Sequence, residues 1–120
     1  MPDRDLEAAL SRPVAEAKAE LFRSLAHPAR IRVLEVLSAG EHSVGEMQPL
    51  VGIEASHLSQ QLAVLRRAGL VTTRKAGSTV FYSLRGPDLA ELLAVAKRFL
   101  IVSLSDATEL LAGLRASGAS

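Results

Sequence analysis

The sequence predicts a mainly α-helical fold that carries one small β-hairpin. Three observations lead there. Prolines and glycines at Pro28, Gly40, Gly52, Gly69 and Pro87 divide the chain into short segments, most with helical apolar spacing. Two runs rich in β-branched and aromatic residues, Leu70–Lys75 and Thr79–Leu84, flank the turn Ala76-Gly77-Ser78. Finally, 120 residues with 48% hydrophobic side chains suit one core and strain two.

Each element has its own reason. Residues 1–13 are polar and are expected to be loosely ordered, as are 115–120. Residues 14–26 read as a helix, with Leu21 and Leu25 four apart and Phe22 beside them. His27-Pro28 breaks it, because a residue before proline avoids helical torsions. Pro28 then suits the first position of a second helix that runs to about Ser38. For His27 the sequence favours a helix cap or a packed junction residue over a proton switch. His42 reads as a loop residue.

Residues 43–68 read as two helices around a tight turn. Ser43 and Glu46 have the spacing of a capping box, and a short helix follows to about Leu50. Gly52 supplies a turn. Residues 55–68 form the most regular helix, with Leu58, Leu62 and Leu65 on one stripe. Its opposite face holds Ser56, Gln60 and Arg67, with Ser59 and His57 on the flanks. Residues 70–84 form the hairpin. Residues 87–114 form a last helix that is apolar over most of its circumference. Such a helix calls for burial on more than one side, so a two-fold interface with a second copy is expected. Leu92, Val95, Phe99 and Val102 would line it, with Leu21 and Phe22 of the first helix.

This order, ending in helix-turn-helix, hairpin and helix, is that of a winged helix-turn-helix, here five to six helices and a two-stranded wing, in one domain over 1–120. Net charge is only +1, but its distribution is uneven. Residues 55–85 carry five basic side chains (Arg66, Arg67, Arg74, Lys75, Arg85) and no acidic one. Such a segment suits a polyanion. The major groove of B-DNA admits one α-helix, and Ser56, His57, Ser59, Gln60 and Gln61 offer donors and acceptors to base edges. Gln61 lies nearer the apolar stripe than the others. Arg66, Arg67, Arg74 and Lys75 would meet phosphates. A winged-helix module that binds an acidic protein partner is the alternative.

The runs ELFRSLAHPARIRVLEVLSAGEHSVGEM, SHLSQQLAVLRRAGLV and RKAGSTVFYSL resemble the ArsR-type winged-helix repressors from about Glu20 to Leu84. The resemblance implies a homodimer on an operator of inverted-repeat character, released by an effector. It implies base-reading roles for Ser56, Ser59 and Gln60, and a wing tip from Lys75 to Thr79 that includes Ser78. It implies dimerisation through the first and last helices. The chain departs from the family's metal sites. Serine and glycine stand in the 42–46 run where some members carry cysteines. Gly86, Asp88, Phe99 and Val102 stand where others carry Asp, His, His and Glu. No metal and no cofactor is therefore expected.

Other classes are set aside on residue grounds. With no cysteine, disulfides, thiolate metal sites and thiol redox chemistry are excluded. No GxSxG, GxxxxGKS or HExxH motif occurs, so catalysis is not expected. The start lacks the apolar run of a signal peptide, and no stretch approaches the roughly 20 apolar residues of a membrane span. A cytoplasmic protein without membrane partners is the expectation.

Overall fold

A computed structural model describes residues 3–118, with side chains from Ser11 onward. The chain divides into two compact units, one ending at Arg85 and the other starting at Gly86. The first holds α1 (Asp3–Leu25), α2 (Pro28–Ser38), β1 (His42–Ser43), α3 (Val44–Val51), α4 (Ala55–Arg67), β2 (Val71–Ala76) and β3 (Thr79–Leu84). The second holds α5 (Pro87–Gly118).

Local chemistry fixes the ends of these helices. The His27 Nδ1 accepts a hydrogen bond from the Ala29 backbone N–H over 3.2 Å, so His27 is the N-cap of α2 and Pro28 its first residue. The Ser43 Oγ accepts from the Glu46 N–H at 3.2 Å, and the Glu46 carboxylate accepts from the Ser43 N–H at 2.9 Å. That reciprocal pair is the capping box expected from the spacing. Gly52 ends α3 at φ +76°, a left-handed conformation that costs glycine little. Between α3 and α4 the chain therefore turns within a few residues.

The core of the first unit is a cluster of apolar side chains from five elements. Ala29, Val33, Leu34 and Leu37 of α2 meet Met47 and Val51 of α3 and Leu58, Leu62 and Leu65 of α4, with Leu25 and Val71 completing it. The α4 leucines are fully buried, and each contributes about 1.5–3 kcal/mol of burial. This anchors one face of α4 and leaves the opposite face outside.

Three expectations need correction. The first helix does not start after Pro13. It begins at Asp3 and runs through the proline, so residues 3–13 are helical. Leu6-Glu7-Ala8-Ala9-Leu10 are strong helix formers, which favours helix on the N-terminal side of the proline. The last helix extends to Gly118, past residue 114. Of the expected loose ends, residues 1–2 and 119–120 lie outside the described residues. The sheet has three strands in the order β1-β3-β2, where the hairpin alone was expected. His42 and Ser43 pair antiparallel with Tyr82 and Phe81, so His42 is a strand residue. Two residues are too few to carry a periodic signal.

The α5 helix buries no residue completely. Phe99 is 70% exposed, and Leu100, Ile101, Val102 and Leu104 beside it are also exposed.

Candidate nucleic-acid interface

The α4 helix presents two unlike faces because its sequence separates them at helical spacing. The leucine stripe points inward. Ser56, Ser59, Gln60, Arg66 and Arg67 are exposed on the other side, and His57 is half-buried. No carboxylate occurs between Ala55 and Arg67. The outer face therefore offers hydroxyls, an amide and guanidiniums without a repelling charge.

The hairpin stands next to this face. An open cleft of about 510 Å³ is lined by Ser59, Ala63, Arg66 and Arg67 of α4 and by Tyr82 of β3. Helix and wing thus share one concave, basic surface. Lys75, Ser78 and Thr79 are exposed around the hairpin turn, where Gly77 takes φ +62°. Tyr82 was not among the residues expected at the site. Alternation along β3 places it with Val80 and Leu84, which reads as packing, and only the position of α4 brings it to the cleft.

Two expected contact residues are engaged elsewhere. Gln61 is 8% exposed and its Oε1 accepts from the Arg30 Nε over 2.8 Å. It lies on the same face as Leu58, Leu62 and Leu65, at i+3 from the first, so it packs inward and does not face solvent. Arg74 is held by Glu41 through two hydrogen bonds, Nε to Oε2 at 3.1 Å and Nη2 to Oε1 at 2.6 Å. Its guanidinium also lies over the Phe81 ring, 4.8 Å from the centroid. Arg74 therefore braces the wing against the segment before β1, and its charge is compensated. The Arg74 hydrogen bond, with its charge, holds the Glu41 carboxyl below the usual carboxylate range, and Glu41 raises the Arg74 guanidinium in return. In sequence the segment 55–85 is free of acids. In space Glu41 supplies one.

The six residues expected at a dimer interface fall into two groups. Leu21 and Leu92 are half-buried, while Phe22, Val95, Phe99 and Val102 are exposed. Among the described residues, no three His, Cys, Asp or Glu side chains are grouped to hold a metal ion. No described helix is long and apolar enough to cross a membrane.

A short capped helix, a glycine turn, a second helix with an outward polar face and a hairpin beside it define a winged helix-turn-helix protein. Comparison with known proteins gives the same class. A family model described as "Helix-turn-helix domain" matches residues 25–74. The HTH-type transcriptional regulator Rv0081 of Mycobacterium tuberculosis, itself described as uncharacterized, is 54% identical over 109 residues, covering 90% of this chain and 96% of that one. Its crystal structure superposes with a TM-score of 0.73 over 80% of this chain and 97% of that one, at 55% identity. The crystal structure of the transcriptional repressor BigR from Xylella fastidiosa is similar at 36% identity and TM-score 0.68, covering 82% and 96%. The solution structure of the homodimeric winged helix-turn-helix domain of Mb0332 from Mycobacterium bovis, a possible ArsR-family regulator, gives 26% identity and TM-score 0.72, covering 80% and 89%. The chain belongs to the ArsR-type winged helix-turn-helix family of transcriptional regulators, whose members bind DNA.

Proposed function

We propose that this protein is a cytoplasmic, homodimeric repressor that binds double-stranded DNA in a sequence-specific way at an operator of inverted-repeat character. The observation that carries the reading is the outward face of α4. Ser56, Ser59 and Gln60 are exposed there, opposite a fully buried leucine stripe and beside a basic cleft. In this reading α4 enters the major groove, Gln60 pairs with an adenine edge, and Ser56, Ser59 and His57 contact neighbouring base edges. Arg66, Arg67 and Lys75, with the hydroxyls of Ser78 and Thr79, contact phosphates and set the register. Arg74 is not assigned to DNA, since Glu41 holds it. Gln61 is not assigned either.

The dimer follows from the apolar side chains left outside. Phe22 on α1 and, separately, Val95, Phe99 and Val102 on α5 are exposed apolar side chains that are costly in water, and a second copy would cover them through a two-fold contact. Two α4 helices related by that axis would enter successive major grooves roughly 34 Å apart. Repression then follows from occlusion of the promoter.

The test is selection of bound duplexes from a random pool by the full-length protein. Enrichment of a motif with inverted-repeat symmetry supports the reading. Binding without enrichment of any motif overturns it and favours a module for an acidic protein partner.

A further inference from the structure

The packing of α2 against α4 is apolar at one end and polar at the other. Val33, Leu34 and Leu37 meet the α4 leucines at the apolar end. At the other end, the N-cap of α2 and a residue one turn into the helix meet side chains one turn apart on α4. The His27 ring lies edge-on to the His57 ring, with centroids 6.1 Å apart. The Arg30 Nε donates to the Gln61 Oε1 at 2.8 Å. The same guanidinium donates through Nη1 to the Ser24 backbone carbonyl at 3.2 Å, in the last turn of α1. One arginine on α2 therefore ties the end of α1 to the middle of α4. Gln61 is the one polar side chain in the buried set of the described residues.

A buried amide is a poor source of stability. Replacing both partners of such a bond by apolar groups of similar shape is often neutral, because desolvation offsets the bond. What the bond adds is direction. Apolar packing by itself is tolerant, since hydrophobic cores lose uniqueness of arrangement before they lose stability. A hydrogen bond from a planar guanidinium fixed at a second point is not, since it weakens steeply off axis. Gln61 follows Gln60 directly, so a rotation of α4 that moves one moves the other by the same angle.

We infer that Arg30 is a positioning residue for sequence readout: by holding Gln61 on α4 and Ser24 on α1 it sets the rotation of α4, and so decides which base edges Ser56, Ser59 and Gln60 can reach. This rests on the proposed DNA-binding reading and deepens it. It also makes the end of α1 a lever on the same helix, because a displacement of the Ser24 carbonyl pulls on the group that orients Gln61.

The test compares Gln61→Met, which keeps length and removes the acceptor, with Gln61→Glu, which keeps an acceptor for Arg30. Both are made in the full chain. Binding is measured to the duplex enriched in the selection and to a scrambled duplex of equal composition, together with the thermal midpoint. A folded Gln61→Met protein should lose about tenfold or more of its preference between the two duplexes, the scale of one misread base pair. Gln61→Glu should hold the preference within about threefold, well short of that loss. Unchanged preference in folded Gln61→Met overturns the inference. If Gln61→Met does not fold, Arg30→Lys, which keeps the charge and loses the two-armed geometry, takes its place under the same criteria. If the unmodified protein itself prefers no duplex, the DNA reading has failed, and backbone amide dipolar couplings of α4 relative to α2 decide the positioning role alone. Reorientation in Gln61→Met and not in Gln61→Glu upholds it. Unchanged couplings in both overturn it.

Discussion

Glu41 reaches across to Arg74, 33 residues later, and takes both arms of its guanidinium while also accepting a hydrogen bond from the Ser83 hydroxyl at 3.4 Å. The wing is thereby tied to the segment that precedes β1. A cation on the side proposed to face DNA is spent on holding the hairpin. Replacing Glu41 by Gln should free that charge. The variant is expected to bind random duplex more tightly, with a salt slope steeper by up to about one unit, as one added phosphate contact gives. Salt titration of random-duplex affinity checks this. An unchanged slope would mean that Arg74 stays off the DNA when released.

The same contact sets a direction for pH. The Arg74 hydrogen bond and charge hold Glu41 below the ordinary carboxylate value of 4.5. The Ser43 N–H and hydroxyl do the same for Glu46. A carboxyl lowered in the folded state stabilises the fold above its unfolded value and loses that contribution as pH falls through its folded one. The stabilisation from these two carboxyls should therefore be constant above the ordinary value of 4.5 and be lost progressively below it, so the thermal midpoint should fall in that acid range. Glu41→Gln should show a shallower fall, because one of the two groups no longer titrates. Thermal unfolding followed by circular dichroism from pH 3 to pH 7 reads the difference.

Gln60 carries the proposed base contact. Gln60→Ala should relax sequence preference at one position of the operator and cost about 1–3 kcal/mol in specific affinity. Its thermal stability should not change, since Gln60 is exposed. Unchanged affinity and preference would remove Gln60 from the groove.

Arg67 and Lys75 are assigned to phosphates, and the expected signature is different. Arg67→Gln and Lys75→Gln should weaken binding to all duplexes alike and each flatten the salt slope by about one unit. Equilibrium titrations at several salt concentrations check this. A variant that lost only specific binding would contradict the role.

Much of the fold was legible because its signals are local. Pro28, Ser43 with Glu46, Gly52 and the Ala76-Gly77-Ser78 turn each act within three or four residues, and the elements they bound lie close to where the sequence puts them. The inward stripe of α4 was legible from spacing alone. The contacts that were missed are long-range. Arg30 meets Gln61 at a separation of 31 residues and Glu41 meets Arg74 at 33, and no periodicity encodes either. Gln61 was misassigned because a polar residue was weighed by type, when its position beside Leu58 and Leu62 already placed it on the inner face. Arg74 was misassigned because charge was counted along the chain, and the compensating acid came from outside the counted segment.

The central claim is that two copies of the outer face of α4 occupy major grooves on one side of a duplex. The most direct measurement is methylation interference, read at guanine N7 in the major groove and at adenine N3 in the minor groove, on the duplex enriched by the full-length protein. Two patches centred about one helical turn apart, related by the symmetry of the motif, are the expected result. A single patch, or interference confined to the minor groove, would contradict it.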